Sequence, residues 1–416
     1  METNINRRDA INRVSTCPVS YPMQKYTLTC IDCGKEFKPD EIEYVCPVCS
    51  KNQKPFHPLM GILRVDYDYA SIKSNVETRL IASLVQTSGR TSLLPIDVKF
   101  LPPLTVGPTP LESVVRLRAH LGLKNLFIKN DTGLPTGSFK DRASSVVVAK
   151  ARELGKETIA TASTGNAATA LAGMCASVGM KSVIFVPETA PKAKLAQIAM
   201  FGARLIPIKG TYDEAVELSK QACKKFGWYN RSTGYNPYTI EGKKTAALEI
   251  WEQLGQKAPD SVFIPTGDGV ILSGTYKGFY DLKQLGLIAR IPRIIPVQAE
   301  GSAAIVNAIR ANADHVEPLK ESKTIADSIS VSAPACGNWT LKIVRETQGF
   351  GITVTDTEII SAIKELATLT GIFAEPAAAT AYAGFKKAAL EKKISPDETT
   401  VVLITGTGLK DIPTAM

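Results

Sequence analysis

Two groups of residues in this sequence have the types and spacing to do chemistry. The first is Cys30-x-x-Cys33 and Cys46-x-x-Cys49, with 12 residues between the pairs. Each CxxC turn offers two thiolates to one ion, so two such knuckles can close a tetrahedral four-cysteine site on a soft metal, and structural zinc is the expected occupant. His57, eight residues after Cys49, is not spaced for an open catalytic position and is expected to be a surface or packing residue.

The second group lies in four turns further along. Asn130 to Arg142 reads NDTGLPTGSFKDR and runs into a helical stretch. Lys140 falls near the start of that helix, where the positive end of the dipole and Arg142 would both loosen the amine's hold on its proton and make it a nucleophile. Ser163, Thr164, Gly165 and Asn166 form a compact set of donors suited to a carboxylate or a ring oxygen. Gly267, Asp268 and Gly269, leading into Val270 and Ile271, can turn backbone N–H groups toward a phosphate. This turn is neither a dinucleotide GxGxxG nor a GK[ST] phosphate loop. Thr405 opens the run TGTGLKD after the apolar VVLI.

The elements that must position these groups are legible from about residue 125 onward, where short apolar runs alternate with helical periods. NLFIKN, TIATAS, SVIFVP, RLIPIK, SVFIPT, RIIPVQ, ITVTD and TVVLIT read as strands, and DEAVELSKQACKKFG and TAALEIWEQLG as amphipathic helices. That alternation predicts an α/β protein of mainly parallel, doubly wound sheets with helices on both faces. Ligands in such sheets bind beyond the carboxyl ends of the strands, where all four turns fall. Thr357 and Asp213 are the expected N-caps of the helices that follow them. Around the cysteines, YTLTC and EYVCPVCS read as two short strands bounding a polar loop, a zinc ribbon.

Composition narrows the classes. The chain has 416 residues, 44% hydrophobic and 21% charged, which suits a globular protein of about two or three domains. Its 49 Lys and Arg against 40 Asp and Glu give +9, but the charges are interspersed and no basic block appears, so nucleic acid is not an expected partner. No window approaches the roughly 20 apolar residues of a membrane span, and the first residues lack the apolar core of a signal. A cytoplasmic protein with no membrane partner is expected, its cysteines acting as thiols or metal ligands rather than disulfides. Residues 1–24, with Cys17, are expected to be a disordered extension, and Cys175, Cys223 and Cys336 to be small core residues.

The run PTGSFKDR, the STGN turn, the Gly-rich turn and TGTGLKD, in this order, resemble the fold-type II pyridoxal-phosphate enzymes, and most of all the threonine synthase family. A zinc-ribbon-like start also occurs among threonine synthase relatives. The resemblance implies two doubly wound domains of the tryptophan synthase beta-like class: a large one from 100–139 and 236–416, and a small one from 140–235. A ribbon at 25–60 and a connecting segment at 61–99 would precede them. A small-molecule amino-acid substrate and a homodimer are also implied.

Carried over position by position, Lys140 would hold pyridoxal 5'-phosphate covalently and move protons, Phe139 would support the ring, and Asn166 would hydrogen-bond its phenolic oxygen. Gly267, Asp268, Gly269, Val270 and Ile271 would wrap the cofactor phosphate, with the Asp268 carboxylate turned away from that dianion. Thr405 would meet the pyridine nitrogen, Ser163, Thr164 and Gly165 the substrate carboxylate, and Glu375 would lie near the cofactor without an assignable role. The implied reaction converts O-phospho-L-homoserine and water to L-threonine and phosphate, and it needs a second anion site.

There the sequence departs from the family. In Asn236-Pro237-Tyr238-Thr239-Ile240-Glu241-Gly242, Thr239 stands where an arginine would clamp the substrate phosphate, and Ala167 and Ala168 follow the STGN turn where a hydroxyl residue is common. Arg231, Lys243 or Lys244 could supply the cation. The alternative is β-elimination or β-replacement on Ser, Thr or phosphoserine: the threonine/serine dehydratase kind needs no second phosphate site, whereas the cysteate synthase kind would retain one. A non-catalytic interaction protein is disfavoured by the joint presence of Lys140, Asn166 and Thr405.

Overall fold

The computed structural model describes residues 25–75, 93–190 and 192–415. The extension expected at 1–24 lies outside these residues, as does part of the connecting segment.

At the start of the described chain, β1 (Tyr26–Cys30) pairs antiparallel with β2 (Glu36–Phe37) and β3 (Leu63–Tyr67). Alternate side chains face the core, Tyr26, Leu28 and Cys30 from one strand and Leu63, Val65 and Tyr67 from the other. Two expectations are corrected here. The third strand comes from LRVDY, in the stretch read as a connecting segment. EYVCPVCS is not a strand: Val45 makes a single bridge to Ile62, and Cys49 opens a 3-10 turn over Cys49–Asn52. Pro47 has no N–H to give a ladder, and the Ser50 amide instead bonds back to the Cys46 carbonyl at 3.0 Å, curling the knuckle.

The other strands are β4 (Leu111–Glu112), β5 (Leu126–Asn130), β6 (Thr158–Ala162), β7 (Lys181–Pro187), β8 (Arg204–Ile208), β9 (Tyr229–Asn230), β10 (Ser261–Pro265), β11 (Arg293–Ala299), β12 (Ile352–Val354) and β13 (Thr400–Ile404). One sheet has the order β12-β11-β10-β13-β5-β4 and the other β8-β7-β6-β9. Every strand expected from about residue 125 onward is present, and all their pairings with one another are parallel. β4, which runs antiparallel to β5, and β9 carry two residues each, too short for a readable period.

β10 and β13 are buried along their whole length, as a sheet covered on both faces requires. Val262 and Ile264 share a core cluster with Leu272 and Phe279 of the helix Val270–Gln284. Phe263 points the other way, its ring edge-on to Phe385 of the helix Pro376–Leu390 at 5.3 Å.

The helices Tyr212–Phe226 and Asp356–Thr370 are capped by Thr211 and Thr355 rather than by Asp213 and Thr357. Both are capping boxes. Each threonine hydroxyl accepts from the amide of the glutamate three residues on, Glu214 or Glu358, whose carboxylate bonds back to the threonine amide. Neither Asp213 nor Thr357 has an acid at that spacing. No helix among the described residues is long and apolar enough to cross a membrane.

A buried ionic network ties β5 to the helices Lys140–Glu153 and Tyr238–Gln253. Arg142 makes two forks, one to Asp131 with its shorter contact at 2.7 Å and one to Glu249, and Lys129 reaches Glu249 at 2.6 Å. Thr109 bonds both acids. All five residues are at most 6% exposed.

Candidate active site

The turn that carries Lys140 is held by backbone bonds to the turn after β13. The Phe139 amide donates to the Thr405 carbonyl at 2.8 Å and the Thr407 amide to the Gly137 carbonyl at 3.1 Å. On its other side the same turn receives the Glu375 amide at the Gly406 carbonyl, 3.0 Å. Gly406 is required by this sandwich: a Cβ there would lie 2.5 Å from a Glu375 carboxylate oxygen. Asp141 locks the turn from within, accepting from the Thr136 amide and hydroxyl at 2.7 and 2.6 Å. Lys140, Phe139, Thr405 and Glu375 are thereby brought to one place at the carboxyl ends of β5 and β13.

Burial lowers the Lys140 amine's affinity for its proton, Arg231 adds to the effect, and the carboxylates of Glu375 and Asp268 oppose it. This corrects the expected cause. Arg142, next but one in sequence, points into the ionic network with Asp131 and Glu249. Among the described residues the Lys140 amine has no hydrogen-bond or ion-pair partner.

Asn166 opens the helix Asn166–Ser177 after β6, and its amide nitrogen lies 3.0 Å from both carboxylate oxygens of Glu375. Burial raises the Glu375 carboxyl above its ordinary range, partly offset by Asn166 and Lys140. Sequence reasoning gave this acid no role, and its contact with a residue 209 positions away leaves no local signal. Ser163, Thr164 and Gly165, half-buried, sit in the turn just before Asn166.

The Asn166 amide also reaches the Ser328 hydroxyl at 3.4 Å, and a Cβ on Gly267 would meet the Cα of Ile329 at 2.9 Å. The short turn Asp327–Ile329 therefore borders both the donor cluster and the anion turn, a link that no motif in that stretch announces.

Gly269 has φ +81°, and a Cβ there would lie 2.3 Å from the Thr340 hydroxyl. The turn before Val270–Gln284 is thus a close backbone cradle at a helix N-terminus, the form an anion site takes. One Asp268 carboxylate oxygen accepts from the Ala335 amide at 3.3 Å, while the Asp268 carbonyl holds the Cys336 amide at 2.8 Å.

Amine, donor cluster, phosphate-sized cradle and strand-end hydroxyl fit pyridoxal phosphate in chemistry. Thr239, the residue in the expected arginine's place, is wholly buried and spent on backbone: its hydroxyl donates to the Asn236 carbonyl at 2.7 Å and accepts from the Gly234 amide at 3.2 Å.

The four N-terminal cysteines converge. Cys30 and Cys49 have their sulfurs 3.7 Å apart, Cys33 and Cys46 3.9 Å, and all four lie within 4.8 Å of one another. Four metal–sulfur bonds of about 2.3 Å in a tetrahedron require sulfur separations of about 3.8 Å. The site lies far in sequence from Lys140 but touches the cradle's neighbours, since Leu59 donates to the Ala335 carbonyl at 2.9 Å. His57 is exposed, and Cys175, Cys223 and Cys336 are buried, as expected.

The chain belongs to the family of pyridoxal-phosphate dependent enzymes, whose sequence profile matches residues 103–406. Within that family it is similar over nearly its whole length to threonine synthases. That of Methanosarcina acetivorans is 39% identical over 394 residues, 94% of each chain, and that of Methanocaldococcus jannaschii is 39% identical over 385 residues, 92% of each. Together with the family match, these relatives make it a threonine synthase-like lyase dependent on pyridoxal phosphate. Among solved structures, the processed form of threonine deaminase isoform 2 from Solanum lycopersicum superposes with a TM-score of 0.62 and 26% identity, covering 72% of this chain and 79% of that one.

Proposed function

We propose that the protein converts O-phospho-L-homoserine and water to L-threonine and inorganic phosphate. The observation that carries this reading is the near full-length similarity to threonine synthases combined with a Lys140 amine whose proton affinity burial lowers and which has no hydrogen-bond or ion-pair partner among the described residues. Bound pyridoxal phosphate supplies an electron sink for the amino acid, so that protons at Cα and Cβ can be removed and a group at Cγ can leave.

The chain's residues would do the rest. Lys140 would anchor the cofactor and then carry protons at Cα and Cβ, a task that suits an amine whose proton affinity is reduced. Ser163, Thr164 and Gly165 would orient the substrate carboxylate at the helix N-terminus. Amides of Gly267 to Ile271 would hold the cofactor phosphate, Phe139 and Asn166 would fix the ring, and the Thr405 hydroxyl would face its nitrogen without forcing it to be protonated.

The spent Thr239 hydroxyl favours one rival, β-elimination or β-replacement on Ser, Thr or phosphoserine, which for serine and threonine needs no second phosphate site. Purified protein given O-phospho-L-homoserine should release threonine and phosphate in equal amounts. Release of a 2-oxoacid from serine or threonine, with phosphohomoserine untouched, would sink the reading and leave the rival.

The four thiolates would hold zinc as a staple, supported by the sulfur separations above. Replacing Cys46 by serine is expected to remove about one equivalent of metal and at least about 2 kcal/mol of stability, measured by metal analysis and urea unfolding. A cytoplasmic location and a homodimer rest on the resemblance, and light scattering would test the latter.

A further inference from the structure

A cation for the second anion site is present in the fold, one helical turn from Thr239. Thr239, the second residue of the helix Tyr238–Gln253, is buried with its hydroxyl in backbone bonds. Position i+4 lies above it on the same face. That position is Lys243, which is completely buried, and its ammonium has no hydrogen-bond partner among the described residues. Its Cβ packs flush against Gly274 in the facing helix Val270–Gln284, which springs from the anion turn. The charges of Arg231, Lys140, Cys336 and Asp268, groups in and beside the candidate site, act on its amine.

The other candidates are committed elsewhere. Lys244 is consumed by Glu241 at 2.6 Å, Asp281 at 2.8 Å and the Tyr67 hydroxyl at 3.0 Å. Arg231 bonds the Thr233 hydroxyl at 2.7 Å and, more weakly, that of Ser144.

We propose that Lys243 binds the phosphate of the substrate and of the released product, serving as the specificity-determining cation that Thr239 does not supply. An unpaired ammonium in the interior is costly, and an anion arriving beside it supplies the missing partner. Burial together with Arg231 and Lys140 depresses the amine's proton affinity, and a bound dianion would restore it. The cofactor phosphate has its own amide-lined cradle at Gly267 to Ile271. Lys243 instead shares its helix face with the position at which the family resemblance puts the substrate's phosphate clamp. The inference rests on the proposed reaction for the identity of the substrate, but not for the anion site itself.

The test uses holoenzyme with inorganic phosphate as probe, and compares wild type with Lys243→Gln and Lys243→Met. Loss of one charge-assisted bond should weaken phosphate binding about 10- to 100-fold by calorimetry and raise the KM for O-phosphohomoserine comparably, with cofactor affinity unchanged and the melting temperature no lower than wild type. The double variant Thr239→Arg/Lys243→Gln, which returns a cation to the same helix face, should recover much of the loss.

Unchanged phosphate affinity in both single variants would overturn the proposal. So would a parallel fall in cofactor affinity, which would give Lys243 to the cofactor phosphate. Wild-type turnover of phosphohomoserine with an unaltered KM in the variants defeats this inference and leaves the proposed function standing. Lys243-dependent phosphate binding without phosphohomoserine turnover does the reverse.

Discussion

Replacing Lys140 by alanine is expected to abolish turnover, by at least about three orders of magnitude, while the fold survives. Among the described residues the other buried or nearby amines are held elsewhere: Lys129 and Lys244 are locked in ion pairs, Lys243 is on a different helix, and Lys410 is bonded to Gln197 at 3.2 Å. The loss in stability should be small, because the Lys140 amine makes no hydrogen bond or ion pair with described residues. Circular dichroism and cofactor absorbance read the two effects separately: native secondary structure with the cofactor's covalently bound absorption gone. Full activity in the alanine variant would remove Lys140 from the chemistry.

The same lysine gives a pH signature. As the proposed anchor of the cofactor it must react as the neutral amine, which burial and Arg231 favour and Glu375 opposes. Glu375→Gln removes the opposing carboxylate, so the acid limb of covalent cofactor binding should move to lower pH. A spectrophotometric titration of the two proteins checks the direction, and a shift to higher pH would contradict it.

What the sequence could reveal was set by the range of the forces involved. VFI and VVLI announce buried parallel strands because burial on both faces writes itself into consecutive residues. The four cysteines are equally plain, since chelation fixes their local spacing. LRVDY alternates visibly, yet its partner β1 lies more than thirty residues back, and pairing at that distance is not written in either strand. The caps Thr211 and Thr355 stand two positions before Asp213 and Thr357 because the reciprocating glutamates, Glu214 and Glu358, lie three residues after them, a pairing that the capping residue type alone does not announce.

Lys243 and Lys244 show the limit most clearly. Adjacent and identical in sequence, they point about 100° apart around the helix. Lys244 meets Glu241 and Asp281, and Lys243 has no hydrogen-bond partner among the described residues. Arg142 likewise looked like a neighbour of the Lys140 amine, but its partner Glu249 is 107 residues distant, and only the fold turns it away.

The ionic network around Arg142 should be the most sensitive point of stability. Arg142→Met leaves Asp131 and Glu249, both about 1% exposed, facing one another across the vacated space with Lys129 as their remaining cation. Removing one partner of a buried ion pair costs about 3–5 kcal/mol, because the surviving charges can be neither solvated nor matched. Urea unfolding at neutral pH should show that loss, and a change under about 1 kcal/mol would mean that the network is not holding the fold.

The acid side provides an independent reading. Arg142 and Lys129 hold the Glu249 carboxyl down to about 2, against an ordinary value of 4.5. A carboxyl depressed in the folded state stabilises fully above the unfolded value, and the contribution is lost as pH falls through the folded value. The wild type should therefore keep this contribution above about pH 4.5 and shed it toward pH 2, so the stability gap between wild type and Arg142→Met should narrow over that range.

The consequence reaches the active site through the chain itself. Asp131 and Arg142 bracket the turn that presents Lys140, and the Asp131 amide is bonded to the Ile404 carbonyl at 2.9 Å, next to Thr405. A network that clamps both ends of that turn fixes where the amine can stand. Arg142→Met is accordingly expected to weaken cofactor binding at urea concentrations well below its unfolding midpoint, which global unfolding alone would not produce.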